Sequence, residues 1–545
     1  MSPGWFLLVV ILTAGAGGEA TVANTTDVEI VALYPNPVAH GDRGEFILVH
    51  VSRPMRTDTW RFVDDARQTA LPPPMMVNGS VAFSHHPEEA APYVDAPVYP
   101  LDGWLQLADA GQTLELHIDG EVIDRVSYEG PAPRARLWVR GATPEPWVPV
   151  EATSFTPVEG VGSIQAFALP DAPAVPVSFL EGATDRILLG GYTLEDPTVI
   201  DRLLDAHARG VTVRVHVEGR PVGGISKEMG EALDRLDDAD INVTVHRGPY
   251  ARWGFHHPKY AVVDDRVLVT TENWKPSGTG GQASRGWGVI VESPELAEGL
   301  AAVFDADTGW KDAQPWSTVR DDLARHAVDE TLGEYPPVHD PVSVPNASVT
   351  LLTAPDNAEG YLIELVQGAT ETIDIKQVRI GDIDFPLLAA AIDAARDGVS
   401  VRILLAGAWY VREENQEMAR ALDELADAEG LDLSVRLVDS NEHFDRLHAK
   451  GIIVDRRHVA VSSINWNDHS IRQNREVGVV IEDPEIAAYF TAVFEADWKV
   501  EESSMSLPLE LLLVSLLALA VLTYHAHQMH FEGPDAAESE EYTER

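Results

Sequence analysis

Two short motifs carry the chemistry available to this chain. His257-Pro258-Lys259 is followed by Asp264, and His448-Ala449-Lys450 by Asp455, giving the same His-x-Lys-x4-Asp spacing twice. With 19 His, 87 acidic residues and Lys at only seven positions, chance predicts about 0.04 such matches per chain, so two are a signal. On a strand, residues two apart face the same side, which sets each His beside its Lys while the Asp begins the next turn. Each motif is trailed by a hydroxyl and amide loop, Thr270-Thr271-Glu272-Asn273-Trp274 in one copy and Ser462-Ser463-Ile464-Asn465-Trp466 in the other. If the copies pack about a pseudo-two-fold axis, two His, two Lys and two Asn converge. Cations and amide donors suit the non-bridging oxygens of a phosphodiester. One imidazole can attack phosphorus and the other protonate the departing alkoxide.

The segments that must position these motifs repeat as well. Ser293 to Asp307 (SPELAEGLAAVFDAD) parallels Asp483 to Asp497 (DPEIAAYFTAVFEAD), and the run from Arg186 parallels the run from Thr372, each reading strand, amphipathic helix, strand. Such β-α-β units predict a mixed sheet covered by helices. The expected fold is a duplicated α/β body, with repeats at 163–313 and 346–500 and a Pro-rich linker at 314–345. Upstream, VEIVAL, EFILVHV, WLQLA, LELHID and VIDRVSY alternate with period two between Asn, Pro, Gly and Asp turns. That pattern predicts an all-β sandwich at 27–130, followed by a second Pro-rich linker at 131–162.

The chain has 545 residues, 40 Lys+Arg against 87 Asp+Glu, a net charge of -47 and no Cys. The missing Cys exclude a disulfide scaffold, a Cys nucleophile and any Cys-ligated metal. A uniformly acidic, Lys-poor composition suits molar salt, where screening quenches self-repulsion, so a halophilic, archaeal source is expected. The same charge disfavours nucleic acid as a partner. Trp5 to Ala14 is apolar and is followed by small residues to Ala20, as in a cleaved signal peptide at 1–20. Leu507 to Tyr524 carries one charge, Glu510, and predicts a single membrane-spanning anchor. The acidic tail 525–545 would then be cytoplasmic and the catalytic body extracellular at the cell membrane. Asn24, Asn78, Asn242 and Asn346 stand in glycosylation sequons.

The paired motifs with their amide loops resemble the phospholipase D superfamily, over roughly Ser163 to Asp497. The sandwich strands, VEIVALYPNPVAHGDRGEFILVHV with GQTLELHIDGEVIDRVSY, resemble the immunoglobulin-like lamin-tail domain. The first resemblance implies a two-step phosphoryl transfer through a phosphohistidine, without metal or cofactor. It makes His257 the nucleophile and His448 the general acid, then base. Lys259, Lys450, Asn273 and Asn465 would hold the phosphate beside Thr271 and Ser463, while Asp264 and Asp455 support the histidines. Glu476 in NREVG matches the carboxylate that follows the second motif. Copy one departs from the pattern, with Trp287 where that Glu would fall, and both loops replace Gly-Ser by Thr-Thr or Ser-Ser. Copy two is therefore nearer the family, which leaves open which histidine attacks. The implied activity is that of a membrane-anchored phosphodiesterase or phosphatidyltransferase acting on phospholipid head groups. A nuclease of the same superfamily and a non-catalytic surface-binding protein are the alternatives.

Overall fold

The computed structural model describes residues 27–37, 42–142, 146–150, 153–248, 251–328 and 330–499. The expected signal peptide, the 507–524 anchor, the acidic tail and the Asn24 sequon lie outside them. Among the described residues no helix is long and apolar enough to cross a membrane.

The N-terminal region is all β, in two sheets. One runs in the order Trp147–Pro149, Arg136–Val139, Val28–Tyr34, Phe46–Arg56, Met76–Ser84, Val98–Pro100, and the other in the order Asp102–Gly103, Thr69–Leu71, Arg61–Asp64, Gly111–Ile118, Glu121–Glu129. Alternation decides which face is buried: along Gly111–Ile118 the inward residues are Gln112, Leu114 and Leu116. Leu114 and Leu116 meet Ile30, Ile47 and Val49 of the first sheet in a shared core around Trp60, Phe62 and Phe83. The sandwich does not end at residue 130. Arg136–Val139 and Trp147–Pro149 pair antiparallel at its edge, so the expected linker supplies two strands. Pro149 sits on the outermost one, where a missing N–H costs no ladder bond.

The rest of the described residues are organised around one continuous sheet of both repeats. From one edge, repeat one runs Ala313–Pro315, Asn242–His246, Thr212–Glu218, Arg186–Gly191, Tyr260–Val263, Arg266–Thr270, Ser284–Glu292 and Val158–Leu169. Repeat two mirrors it outward from the centre with Val342–Ala354, Glu476–Glu482, His458–Ser462, Gly451–Val454, Thr372–Gln377, Ser400–Ala406 and Leu433–Val438. The long strands Val158–Leu169 and Val342–Ala354 pair antiparallel and fuse the halves. Both begin inside segments expected to be linkers. Arg186–Gly191, Thr212–Glu218 and Asn242–His246 are parallel, joined by helices Pro197–Ala208 and Lys227–Asp237. Local signals start these helices where they start: Asp196 caps Thr198 N, Ser226 caps Met229 N, and Ser293 caps Leu296 N at the head of Pro294–Thr308. Val199, Ile200, Leu203 and Ala206 face the sheet at i, i+3, i+4 spacing and seal the core of repeat one.

Candidate active site

Each histidine stands just before its motif strand, where the chain crosses to the other repeat. His257 N donates to Arg475 O (2.9 Å) and His448 N donates to Arg285 O (3.0 Å), so each motif is registered on the opposite half. The short pairing of Arg446–Leu447 with Ser284–Arg285 repeats the His256–Arg475 bridge. Two buried arginines lock this crossing. Arg475 binds Asp356 of its own repeat (2.6 Å) and Asp307 of the other (3.0 Å), and Arg285 binds Asp171 of its own repeat (2.6 Å) and Asp497 of the other (3.2 Å). Buried charges are tolerable here because each finds several partners; Arg475 also reaches Thr153 Oγ1 and Ala354 O.

The histidines are held by carboxylates in the same crossed fashion. His257 Nδ1 bonds Glu476 Oε2 at 2.8 Å, and His448 Nδ1 bonds Glu272 Oε1 at 3.2 Å. Glu476 is fixed in turn by Ser470 Oγ (2.6 Å) and Asn474 Nδ2 (3.1 Å). With Nδ1 committed to a carboxylate, Nε2 is the nitrogen left to react. Lys259 Nζ donates to His257 O and Lys450 Nζ to His448 O, at 2.5 and 2.6 Å, with both lysines buried. Tyr192 lies edge-on to His257, ring centroids 4.7 Å apart, with Lys259 Nζ 5.3 Å from the Tyr192 centroid.

Glu272 is the residue that sequence reasoning missed. Strand register shows why: Leu169 faces Gly286 where Ala354 faces Glu476, so Gly286 is the counterpart of Glu476, and Trp287 is not. A Cβ on Gly286 would lie 2.2 Å from Glu272 Cγ and 2.4 Å from its Oε1. The carboxylate has thus moved from the strand to the loop, into space a side chain at 286 would fill, and copy two has Ile464 at the loop position. Trp287 is a packing residue, buried against Phe490 (4.6 Å) and under Lys376. The signal was legible as the lone acid in the TTENW loop, opposite the Gly of SRGWG aligned with the Glu of NREVG.

The aspartates do not touch the histidines, contrary to the role expected for them. Asp264, at φ 54°, closes the turn after its strand and accepts from Thr184 N, Asp185 N and Arg186 N at 2.8–3.0 Å. Asp455, at φ 52°, does the same for Thr370, Glu371 and Thr372. Burial raises both carboxyls, but these backbone donors outweigh it and hold them below the ordinary range. Thr271 Oγ1 accepts from Trp287 N and Ser463 Oγ from Val477 N, both at 3.0 Å. Both hydroxyls clamp the loops to the adjoining strands beside the carboxylates, rather than standing open to a ligand. Asn273 and Asn465 are half-buried, and Asn273 Oδ1 is a buried acceptor with no partner. His256, beside the motif histidine, is fully buried with its ring 4.4 Å from that of His216.

The electrostatics follow from burial. Desolvation, with the lysine charges, pushes His257 and His448 down to about 4 despite their carboxylates. Desolvation also lowers Lys450 to about 8 and Lys259 well below its usual value. Glu272 and Glu476 stay ionised below the usual range, because histidine and lysine charges overcome a burial that raises them. The site therefore gathers two imidazoles and two lysines that burial holds toward their uncharged forms against two ionised carboxylates, and a bound anion would favour the charged lysines. Among the described residues no group of three or more His, Asp or Glu is arranged to hold a metal ion.

The family described as "Cardiolipin synthase, PLD-like domain" matches residues 177–308 and 362–498. Among solved structures, the chain is similar to phosphatidylserine synthase from Haemophilus influenzae (18% identity, 60% of this chain and 84% of that one, TM-score 0.45). It is also similar to Nuc, a phospholipase D family member from Salmonella typhimurium (21% identity, 29% and 98%, TM-score 0.24), and to NucT from Helicobacter pylori (20% identity, 28% and 95%, TM-score 0.24). No curated protein sequence matches the chain. The two family matches contain His257 with Glu272 and His448 with Glu476, so each repeat is similar to that PLD-like domain over the residues that carry the crossed histidines.

Proposed function

We propose that this protein is a phosphodiesterase or phosphatidyltransferase that works through a phosphohistidine on one of two equivalent imidazoles. The observation that carries the reading is the crossed pairing of His257 with Glu476 and His448 with Glu272, which makes one site from two repeats. A phosphodiester bound between Lys259 and Lys450 neutralises both cations and raises the imidazole facing the leaving oxygen, so that it takes a proton. Nε2 of His257 forms a P–N bond as the P–O bond to the leaving alcohol breaks, and His448 gives that alkoxide its proton. His448 then removes a proton from water or an acceptor alcohol, whose oxygen attacks phosphorus and releases His257. Each carboxylate stabilises the positive charge its histidine acquires.

Phospholipid head groups are the substrate class we favour, in an exported, membrane-anchored protein whose catalytic body lies outside the cell and whose sandwich is lamin-tail-like. The apolar run at 507–524 and the net charge of -47, which opposes binding to nucleic acid, support this reading. The test uses the full chain at molar salt on phosphatidylcholine vesicles and on DNA. Head-group release that disappears in His257→Asn is expected, and DNA cleavage without lipid turnover would replace the substrate class.

A further inference from the structure

Hydrophobic side chains left in water are informative when they cluster at a functional mouth. The parallel strands Thr212–Glu218 and Ser400–Ala406 are counterparts, pairing with Arg186–Gly191 and Thr372–Gln377 in their own repeats and each followed by a loop. In repeat two that loop carries Trp409, 87% exposed, and Tyr410, 46% exposed, with ring centroids 5.7 Å apart. The strand Ser400–Ala406 that this loop leaves packs against Arg446–Leu447, immediately before His448. In repeat one the equivalent loop presents Val222, 81% exposed, whose N–H donates to Tyr192 Oη at 2.6 Å, and the Tyr192 ring abuts His257. Each repeat thus presents exposed apolar side chains on the equivalent loop, Val222 beside exposed Arg220 in repeat one and the Trp409–Tyr410 pair in repeat two, while the histidine site is buried and polar.

The charges beside the aromatic pair are internally matched: Arg379 pairs with Glu414, and Arg412 with Asp439. Matched charges leave no basic field for a polyanion. Trp and Tyr, amphipathic and wide, are the side chains that settle at a bilayer interface. The sequence beyond Lys499 also runs into the apolar stretch Leu507 to Tyr524, so a bilayer is a surface this chain is composed to meet. We infer that the loops bearing Trp409–Tyr410 and Val222 form an interfacial rim that seats the mouth of the site on a phospholipid bilayer, apolar side chains entering the head-group layer while the phosphate reaches the histidines. The inference rests on the phosphodiesterase reading above and adds the surface through which a membrane substrate is met.

Two readouts on the full chain separate the claims. The first is tryptophan quenching by brominated phosphatidylcholine vesicles in wild type and Trp409→Phe: quenching present in wild type and reduced in the variant is expected. The second compares Trp409→Ala/Tyr410→Ala on phosphatidylcholine vesicles and on soluble bis-p-nitrophenyl phosphate. Vesicle turnover should fall about tenfold or more, with the soluble diester within about twofold of wild type. Equal quenching in wild type and Trp409→Phe, or equal losses on both substrates, would overturn the rim. Quenching at Trp409 without lipid turnover would keep the rim and remove the lipid-substrate reading.

Discussion

Glu272 and Gly286 behave as one unit: the glycine leaves the space that the loop carboxylate occupies, as the 2.2 Å approach of a built Cβ shows. Repeat two solves the same problem with Glu476 on the strand and Ile464 on the loop. Glu272→Ile should therefore lower kcat about 100-fold or more by freeing His448 and removing its counter-charge. Adding Gly286→Glu rebuilds the repeat-two arrangement and should restore at least about tenfold of that loss; no recovery in the double variant would mean the two positions are not exchangeable. The lysines give a second reading at this scale. Burial holds Lys450 near 8, so raising the pH above about 8 discharges it in the free enzyme and weakens phosphate binding. Since kcat/KM reports the free enzyme, it should decline above about pH 8, and Lys450→Arg should carry that decline upward. A flat profile to pH 10 would place the charge elsewhere.

At the scale of elements, the Asp of each motif is a turn clamp. Its three backbone donors tie the end of the motif strand to the start of Arg186–Gly191 or Thr372–Gln377. Asp264→Ala should lower unfolding free energy by about 2 kcal/mol, with turnover per folded molecule largely kept; wild-type stability with abolished turnover would return the residue to the catalytic set. Strand alternation and the repeated strand–helix–strand runs from Arg186 and Thr372 made the duplicated body readable in advance. What stayed hidden was inter-repeat geometry. The spacing puts Asp264 in the motif but cannot say that its carboxyl turns from His257 toward Thr184–Arg186. Nor does proximity in sequence reveal that Glu476 serves the histidine of the other repeat. The Pro-rich segments misled for a related reason: Pro149 reads as linker, yet an edge strand accommodates it.

The whole molecule carries a net charge of -47, and its many surface ion pairs use Arg against a larger pool of acids. Screening that self-repulsion should raise Tm by several degrees between about 0.1 M and about 2 M KCl; a Tm that falls over that range would contradict an acidic surface adapted to salt. Fusion of both repeats through Val158–Leu169 and Val342–Ala354 also makes the active site a property of the whole body, since neither half supplies its own histidine's carboxylate. The most direct measurement is turnover of bis-p-nitrophenyl phosphate by the full chain, in chelator and molar salt, for wild type, His257→Asn and His448→Asn. A single shared site predicts activity in wild type and a loss of about a thousandfold or more in each variant alone. Roughly half the activity remaining in either one would mean two independent centres and contradict the account.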